Sequence, residues 1–351
     1  MSSPARPFEP LLTERLIIRA PVPGDLEAFD ARRNDPQVAR YQDWEIPYPV
    51  ERSRDCVEGA IAQGGLVDGE WWTATVALRS DETVVGDLAI NISQNWRAAE
   101  VGYSLTPTFW GNGYASEALD ALLNHLYDDL GIQRVSASLH PDNIASAMLL
   151  ERAGFDFEGL LKRSFWMSDA PDADNSDDAL YGLVKADRDA WRARPTGPAD
   201  QVLLIDVTID NQRQVSELVT HKSQERLVAP VLYSFADALF ASSDNDRHVD
   251  PRMWAIEADG DLAGFVMIAE QTKDNPEPYL WRLLIDRRFQ RRGIGGRAVD
   301  LVEEYCRLKG AESIRVSWDD GPGSPEPFYL ARGYEPTGNR PHDEIEARKQ
   351  L

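Results

Sequence analysis

Cysteine is nearly absent: Cys56 and Cys306 are the only two in 351 residues, one in each half. Two thiols so placed cannot make a disulfide framework, and the expected setting is a reducing cytoplasm. No apolar run approaches the roughly 18 residues that a membrane helix needs, and the start, MSSPARPFEPLLTERL, has no apolar centre of the secretory-leader kind; no membrane partner is expected. Basic residues are scarce, 37 Lys and Arg against 59 Asp and Glu, for a net charge of −22. Phosphate backbones are gripped by clustered cations, so no nucleic-acid partner is expected. The acidity either draws in cationic substrates such as amines or simply keeps the chain soluble. Histidine is limited to His125, His140, His221, His248 and His342, none at metal-ligand spacing, and no catalytic metal is expected.

What is present is one order of elements, written twice. The length suggests two domains, and ARPTGPADQ at Ala193 to Gln201 has linker chemistry. The expected division is residues 8–190, a linker over 191–201, and residues 202–351. In the first half RLIIRA reads as a strand, PGDLEAFDARRN and PVERSRDCVEGAIAQ as helices, and WWTATVALR, VVGDLAINIS and AEVGYSL as three strands. A glycine turn leads into a helix with Leu119, Leu122, Leu123, Leu126 and Leu130 on one face. RVSASL, the helix IASAMLLERAG, and the strands FDFEGLL and ALYGLVK follow, with the acidic stretch Ser168 to Asp178 read as a solvated loop. In the second half NQRQVSELVTH reads as a helix and MWAIEADGDLAGFVMIAE as a hairpin turned at ADGD. YLWRLLID, a glycine turn with its helix, SIRVSWD and EPFYLARG complete it. Gly113 and Gly293 are each followed about 40 residues later by a Gly-aromatic pair, Gly154-Phe155 and Gly333-Tyr334, which marks a duplicated domain.

The two turns are WGNGYAS and QRRGIGGRA. A glycine turn between a strand and a helix start is an anion site, because the first-turn N–H groups have no intrahelical partner and the macrodipole adds positive potential. Arg291, Arg292 and Arg297 offer charge-assisted donors in the second copy. Neither turn ends in the Gly-Lys-Ser/Thr of a P-loop, and neither follows the first strand of its half as a dinucleotide fingerprint would. Nucleoside triphosphates and NAD are disfavoured, which leaves coenzyme A as the leading phosphate-bearing ligand.

On these residues the chain resembles the GNAT superfamily of acetyl-CoA-dependent N-acetyltransferases. QRRGIG (Gln290 to Gly295) is similar to its pyrophosphate loop. WGNGYA, with LLTERLIIRAPVPGDLEAF, AEVGYSLTPTFWGNGYASEAL and NIASAMLLERAGF, is similar to the enzymes that acetylate protein N-termini, including ribosomal proteins. GSPEPFYLARGYEPTG is similar to the closing block of spermine/spermidine-type small-amine acetyltransferases. The resemblance implies an α/β fold class: two tandem GNAT domains, each a mixed, mostly antiparallel sheet with a splayed parallel strand pair and flanking helices. It implies that strands Val101 to Leu105 and Leu283 to Asp286 hold the arm of acetyl-CoA, through Tyr103, Ser104 and Leu105 in one half and Leu284 and Ile285 in the other. The pyrophosphate would lie on Gly111, Asn112, Gly113, Tyr114, Ala115 and Ser116, and on Gln290, Arg291, Arg292, Gly293, Ile294, Gly295 and Gly296. Asn143 would bond the cofactor arm and Ser146 support the thiolate.

By the same resemblance Tyr329 is the acid of the second half, a phenol that stays protonated near neutral pH. Aligning the Gly-aromatic pairs puts Leu150 opposite it in the first half. Glu100 is the first half's candidate base. Leu280 stands opposite Glu100, and Glu344 in RPHDEIEA is the second half's candidate, although the family's Asp-Gly-Glu carries Asp343 in its middle here. Simpler readings stay open: packing for Tyr329, a solvated strand end for Glu100, an N-cap for Asn143 and Ser146. The expected activity is transfer of acetyl to a primary amine, on a small molecule or a protein or peptide N-terminus. One catalytic half with a degenerate partner, or a non-catalytic acetyl-CoA sensor, are the alternatives, and either a monomer or a homodimer fits.

Overall fold

The computed structural model describes residues 5–166, 175–241 and 249–351, and the chain divides into two compact units, Met1–Arg192 and Ala193–Leu351. His248 and residues 168–174 of the acidic stretch lie outside the described residues. Among those described, no helix is long and apolar enough to cross a membrane, and no cluster of His, Cys, Asp or Glu is placed to hold a metal ion.

The first unit runs β1 (Arg6–Pro7), β2 (Leu11–Leu12), β3 (Leu16–Arg19), α1 (Leu26–Arg33), α2 (Pro36–Ala39), α3 (Val50–Gln63), β4 (Gly65–Leu66), β5 (Trp71–Leu78), β6 (Val84–Ser93) and β7 (Ala98–Leu105). Then come α4 (Tyr114–Asn124), β8 (Arg134–Leu139), α5 (Ile144–Ala153), β9 (Asp156–Trp166), β10 (Asn175–Val184) and α6 (Lys185–Ala193). Its main sheet has the order β2-β3-β5-β6-β7-β8-β10-β9. Alternation builds it: Trp72, Ala74 and Val76 of β5 and Leu88, Ile90 and Ile92 of β6 point into one buried core. Leu119, Leu122, Leu123 and Leu126 cover that core from α4 and the π-turn that extends it, while Leu130 packs at its margin. Gly154 ends α5 at φ +100°, and a Cβ there would strike the Trp191 ring at 2.7 Å, so only glycine fits. The acidic stretch ends sooner than its composition suggests: Asn175 to Asp178 already pair with β9, where Asp177 accepts from Lys162 Nζ and the Arg163 N–H.

The second unit runs β11 (Val202–Asp206), α7 (Gln212–Ser216), α8 (Val231–Phe240), β12 (Pro251–Ala258), β13 (Asp261–Ala269), β14 (Tyr279–Ile285), α9 (Ile294–Leu308), β15 (Ser313–Trp318), α10 (Glu326–Leu330), β16 (Glu335–Pro336) and β17 (Ile345–Gln350). The sheet order is β11-β12-β13-β14-β15-β17-β16. The hairpin turns at Asp259 (φ +55°) and Gly260 (φ +88°), the doubly left-handed pair of a type I′ turn. The helix expected over Asn211 to His221 is only five residues long. Asp286 draws the chain away by accepting from the Val219 N–H (3.2 Å), and Arg287 N–H donates to the Val219 carbonyl. The proline-glycine stretch is no free linker: Arg292 Nε donates to the Gly197 carbonyl and the Ala199 N–H to the Arg292 carbonyl.

Each sheet holds one parallel pair, and both pairs part early. β7 meets β8 only at Ala98, Ala99 and Glu100; β14 meets β15 only at Tyr279 and Leu280. The rest of each strand keeps its antiparallel neighbour but has an open edge on the other side. Gly86 and Gly264 sit opposite the ends of these strands, where a Cβ would lie 2.4 and 2.5 Å from the Ser104 and Leu284 carbonyl oxygens. β14 also bulges at Trp281, since Met267 faces Arg282 and Ile268 faces Leu280. Leu280 therefore packs in the core with α9, while Leu284 packs with α7 and α8.

Candidate active site

Both open strands lead through a short 3-10 turn into a helix whose N-cap is a left-handed glycine: Gly113 at φ +80° before α4, Gly293 at φ +75° before α9. Neither cap uses a side chain, so the N–H groups of Tyr114, Ala115 and Ser116, and of Ile294, Gly295 and Gly296, open toward the turn as anion donors. Gly111 at φ +77° and Arg291 at φ +63° bend the two turns alike. Trp110 Nε1 donates to the Leu105 carbonyl (2.8 Å) and Gln290 Nε2 to the Ile285 carbonyl (3.0 Å), so each turn is tied to the end of its strand. Asn112 Nδ2 secures the first turn on the Phe109 and Trp110 carbonyls.

The cations of the second turn are not arranged as their sequence suggests. Arg292 is buried and paired with Asp259 at 2.7 Å, and Arg297 donates to the Ala199 carbonyl. Their side chains fasten the preceding segment, while Arg291 stays exposed at the turn itself. In the first turn a cation arrives from outside the motif. Arg15 Nη1 donates to the Asn112 carbonyl (2.9 Å), its Nε pairs with Glu117 (2.7 Å), and its guanidinium lies over the Tyr114 ring. Nothing near the glycines in the sequence announces Arg15, because it comes from the bend just before β3, about 100 residues upstream.

Around the first splay, Glu100 occupies the last paired position and Tyr103 the open edge. The Tyr103 hydroxyl lies 2.6 Å from Ser146 Oγ, and burial raises its pKa. Ser104 Oγ and Leu105 are buried, with Ser104 accepting from Arg33 (3.1 Å). Asn143 caps α5, its Oδ1 accepting from the Ser146 N–H (3.1 Å). Glu100 has a raised pKa, chiefly from burial and then from the Asp178 carboxylate. Burial likewise raises Asp178, whose Oδ1 has no hydrogen-bond partner among the described residues. In the sequence Asp178 belongs to an acidic run expected to be a solvated loop; β10 brings it to Glu100.

A carboxyl whose folded pKa lies above its unfolded value opposes folding once it must ionise, and the penalty vanishes below the unfolded pKa. Glu100→Gln and Asp178→Asn are therefore expected to raise the melting temperature at pH 7 to 8. The gain should shrink as pH falls through the carboxylate range. Thermal unfolding from pH 4 to 8 checks this, and a gain independent of pH would contradict it.

The second unit has an open cavity of ≈ 1320 Å³ lined by the open edge of β14, by Gln290, Arg291 and Gly293 to Gly296 of the turn, and by Ser317, Trp318, Tyr329 and Glu344. Tyr329 stacks on Trp318 at 5.4 Å and meets Phe328 and Tyr334 edge-on. Its hydroxyl makes no hydrogen bond among the described residues, and burial raises its pKa. The site thus brings Tyr329 and Glu344 to one cavity with the turn, as it brings Glu100, Tyr103 and Ser146 around the first splay.

Comparison with known proteins returns the same chemistry for both units. Residues 15–156 match the model of the acetyltransferase (GNAT) domain, and residues 218–333 that of the acetyltransferase (GNAT) family. The uncharacterized N-acetyltransferase YoaA of Bacillus subtilis is 30% identical over 179 residues, which is 51% of this chain and 98% of that protein.

The chain belongs to the GNAT acetyltransferase family.

The ribosomal-protein-serine acetyltransferase of Escherichia coli is 32% identical over 135 residues, covering 38% of this chain and 71% of that protein. The crystal structure of a GNAT-family acetyltransferase from Bacillus anthracis aligns with 51% of this chain and 99% of its own, at 25% identity and a TM-score of 0.43. Acetyl-CoA is the acyl donor of GNAT acetyltransferases, and this tandem GNAT chain is an N-acetyltransferase. Its own geometry suits that ligand. A diphosphate needs converging N–H donors, which the uncapped helix starts supply. An amide-bearing arm needs an open strand edge, which β7 and β14 supply beyond Glu100 and Leu280.

Proposed function

We propose that each unit binds acetyl-CoA and transfers its acetyl group directly to a primary amine. The reading rests on one recurring conjunction: an uncapped glycine turn beside an open strand edge, with a buried hydroxyl within the same site. Acetyl-CoA supplies an acetyl thioester, and the residues of the chain do the rest. The main-chain N–H groups of 114–116 and 294–296 hold the diphosphate, with Arg15 and Arg291 beside them. The open edges of Tyr103 to Leu105 and Leu284 to Ile285 orient the arm.

An amine is mostly protonated at neutral pH and must lose a proton before it attacks. In the first unit Glu100 takes that proton, and its raised pKa brings it closer to the operating pH, where a base works best. The leaving sulfur needs a proton in return. Tyr329 holds one in the second unit, because burial keeps its phenol from ionising. The Tyr103 hydroxyl, bonded to Ser146, does the same in the first.

The likeness to a ribosomal-protein-serine acetyltransferase supports a protein or peptide N-terminal amine as the first unit's acceptor. The closing block around Tyr329 supports a small amine for the second, within a reducing cytoplasm. The test is thiol release from acetyl-CoA by the full chain, offered a panel of peptides with free N-termini, alkylamines and polyamines. Release that depends on the amine is expected. Binding of acetyl-CoA with no release for any amine would favour a sensor instead.

A further inference from the structure

The second unit has no carboxylate where the first has Glu100. Leu280 fills that register and is 2% exposed, its side chain in the core with α9. The proton of the acceptor has to leave by another route, and one is built into the cavity wall. Tyr279, the residue before Leu280, places its hydroxyl 2.6 Å from Ser317 Oγ. Ser317, the residue after the last paired position of β15, donates in turn to Glu344 Oε2. All three line the cavity that contains Tyr329.

The chain of hydrogen bonds has only one polarity. A carboxylate accepts and cannot donate. Ser317 must therefore give its hydrogen to Glu344, and its oxygen then accepts from Tyr279. With that hydrogen committed, what Tyr279 offers the cavity is a lone pair. A wall that ends in a lone pair binds an N–H donor and repels a carbonyl oxygen. The turn that delivers Glu344 is strained for the purpose: His342 (φ +52°) and Asp343 (φ +69°) are consecutive left-handed residues with side chains.

The other charged groups around the relay are already paired. Arg282 bonds Asp237 (3.3 Å), and Arg315 bonds Glu346 (3.1 Å) and Glu277 (3.3 Å). Tyr329 faces it from α10, while His342 and Asp343 flank Glu344 on its own turn and are exposed.

We propose that Tyr279, Ser317 and Glu344 form the proton-accepting relay of the second unit. Tyr279 is the catalytic residue that meets the acceptor's ammonium, and Ser317 and Glu344 are positioning residues that act through it. The proposal rests on the acetyltransferase reading of the same site. The ammonium gives a proton to the Tyr279 oxygen as Tyr279 passes its own to Ser317 and Ser317 passes its own to Glu344. The carboxylate becomes a carboxylic acid and the amine neutral. The nitrogen lone pair then forms the C–N bond as the C–S bond breaks. Sulfur takes the Tyr329 proton, and the second proton shed by nitrogen restores the phenol. One proton per turnover remains on Glu344 and is lost to solvent.

The test uses the full chain with n-hexylamine as the probe acceptor. The share of amine-dependent thiol release that persists with Gly113→Val, which closes the first unit's turn to acetyl-CoA, defines the second unit's rate. Against that share, Tyr279→Phe and Glu344→Gln are expected to lower kcat about 10²- to 10³-fold, with the calorimetric affinity for acetyl-CoA unchanged. Ser317→Thr, which keeps the hydroxyl, should stay near the parent rate, whereas Ser317→Ala should fall with the other two. In the parent the rate should level off at high pH, and in Glu344→Gln it should keep rising as free neutral amine replaces the relay. A readout independent of turnover is the fluorescence of Trp281 and Trp318 on titration with n-hexylamine, whose affinity should drop in Tyr279→Phe. Undiminished rates and a parental pH profile in Glu344→Gln and Ser317→Ala would overturn the relay alone. A parent chain that binds acetyl-CoA but releases no thiol with any amine would overturn the transferase reading, and the relay with it.

Discussion

Tyr329→Phe is expected to lower the second unit's amine-dependent thiol release about 10²- to 10³-fold, the scale of losing a positioned general acid, while leaving stability intact. The two effects separate because of what surrounds the residue. The ring carries the packing, stacked on Trp318 and held edge-on by Phe328 and Tyr334, and phenylalanine keeps all of it. The hydroxyl has no protein partner among the described residues, so its removal breaks no hydrogen bond. Thiol release and thermal melting on the same sample decide the matter. An unchanged rate would make Tyr329 a packing residue only, and a large drop in melting temperature would mean that the hydroxyl had a structural role.

The second large effect is on stability and falls in the first unit. Asp87→Ala is expected to cost about 3–5 kcal/mol, the usual loss when one partner of a buried ion pair is removed. Asp87 on β6 is 2% exposed and accepts from Arg32 Nε (2.8 Å), Arg32 Nη2 (2.5 Å) and Arg33 Nη2 (3.1 Å). Burial alone would raise its pKa, but Arg33 and Arg32 together hold it below the ordinary value. Its contribution is therefore present above the carboxylate range and lost as pH falls through the lowered value. Arg33 also donates to Ser104 on the open strand, so the same change should loosen the strand that orients the arm. Urea unfolding of the full chain should show an early transition for the first unit with the second unmoved. A shift under 1 kcal/mol would contradict the account.

Much of this was legible in the residues because it depends on local chemistry. Asp259-Gly260 announces a type I′ hairpin, and the glycines at 113 and 293 announce helix starts that need φ > 0. The leucine spacing from Leu119 to Leu126 gives the buried face of α4. The failures share another cause: they depend on where distant chain segments meet. Asp178 looks like part of a solvated acidic run until β10 pairs with β8 and brings it to Glu100. Arg15 reaches the first turn from the bend before β3. Arg292 and Arg297 look like anion ligands, but long side chains can turn either way, and these turn toward Gly197 and Ala199. Asn211 to His221 has good helical periodicity, yet Asp286, some 70 residues on, claims the Val219 N–H and ends the helix. Ser317 and Tyr279 look only like strand residues in the sequence, because a hydrogen bond between neighbouring strands leaves no mark on either one.

Calorimetric titration of the intact protein with acetyl-CoA is the most direct trial of the idea that both helix mouths hold a diphosphate. Two molecules should bind per chain, and a β-branched side chain at either left-handed cap, Gly113→Val or Gly293→Val, should remove one of them. A chain that takes up no acetyl-CoA, or one whose binding survives both substitutions together, would contradict the account.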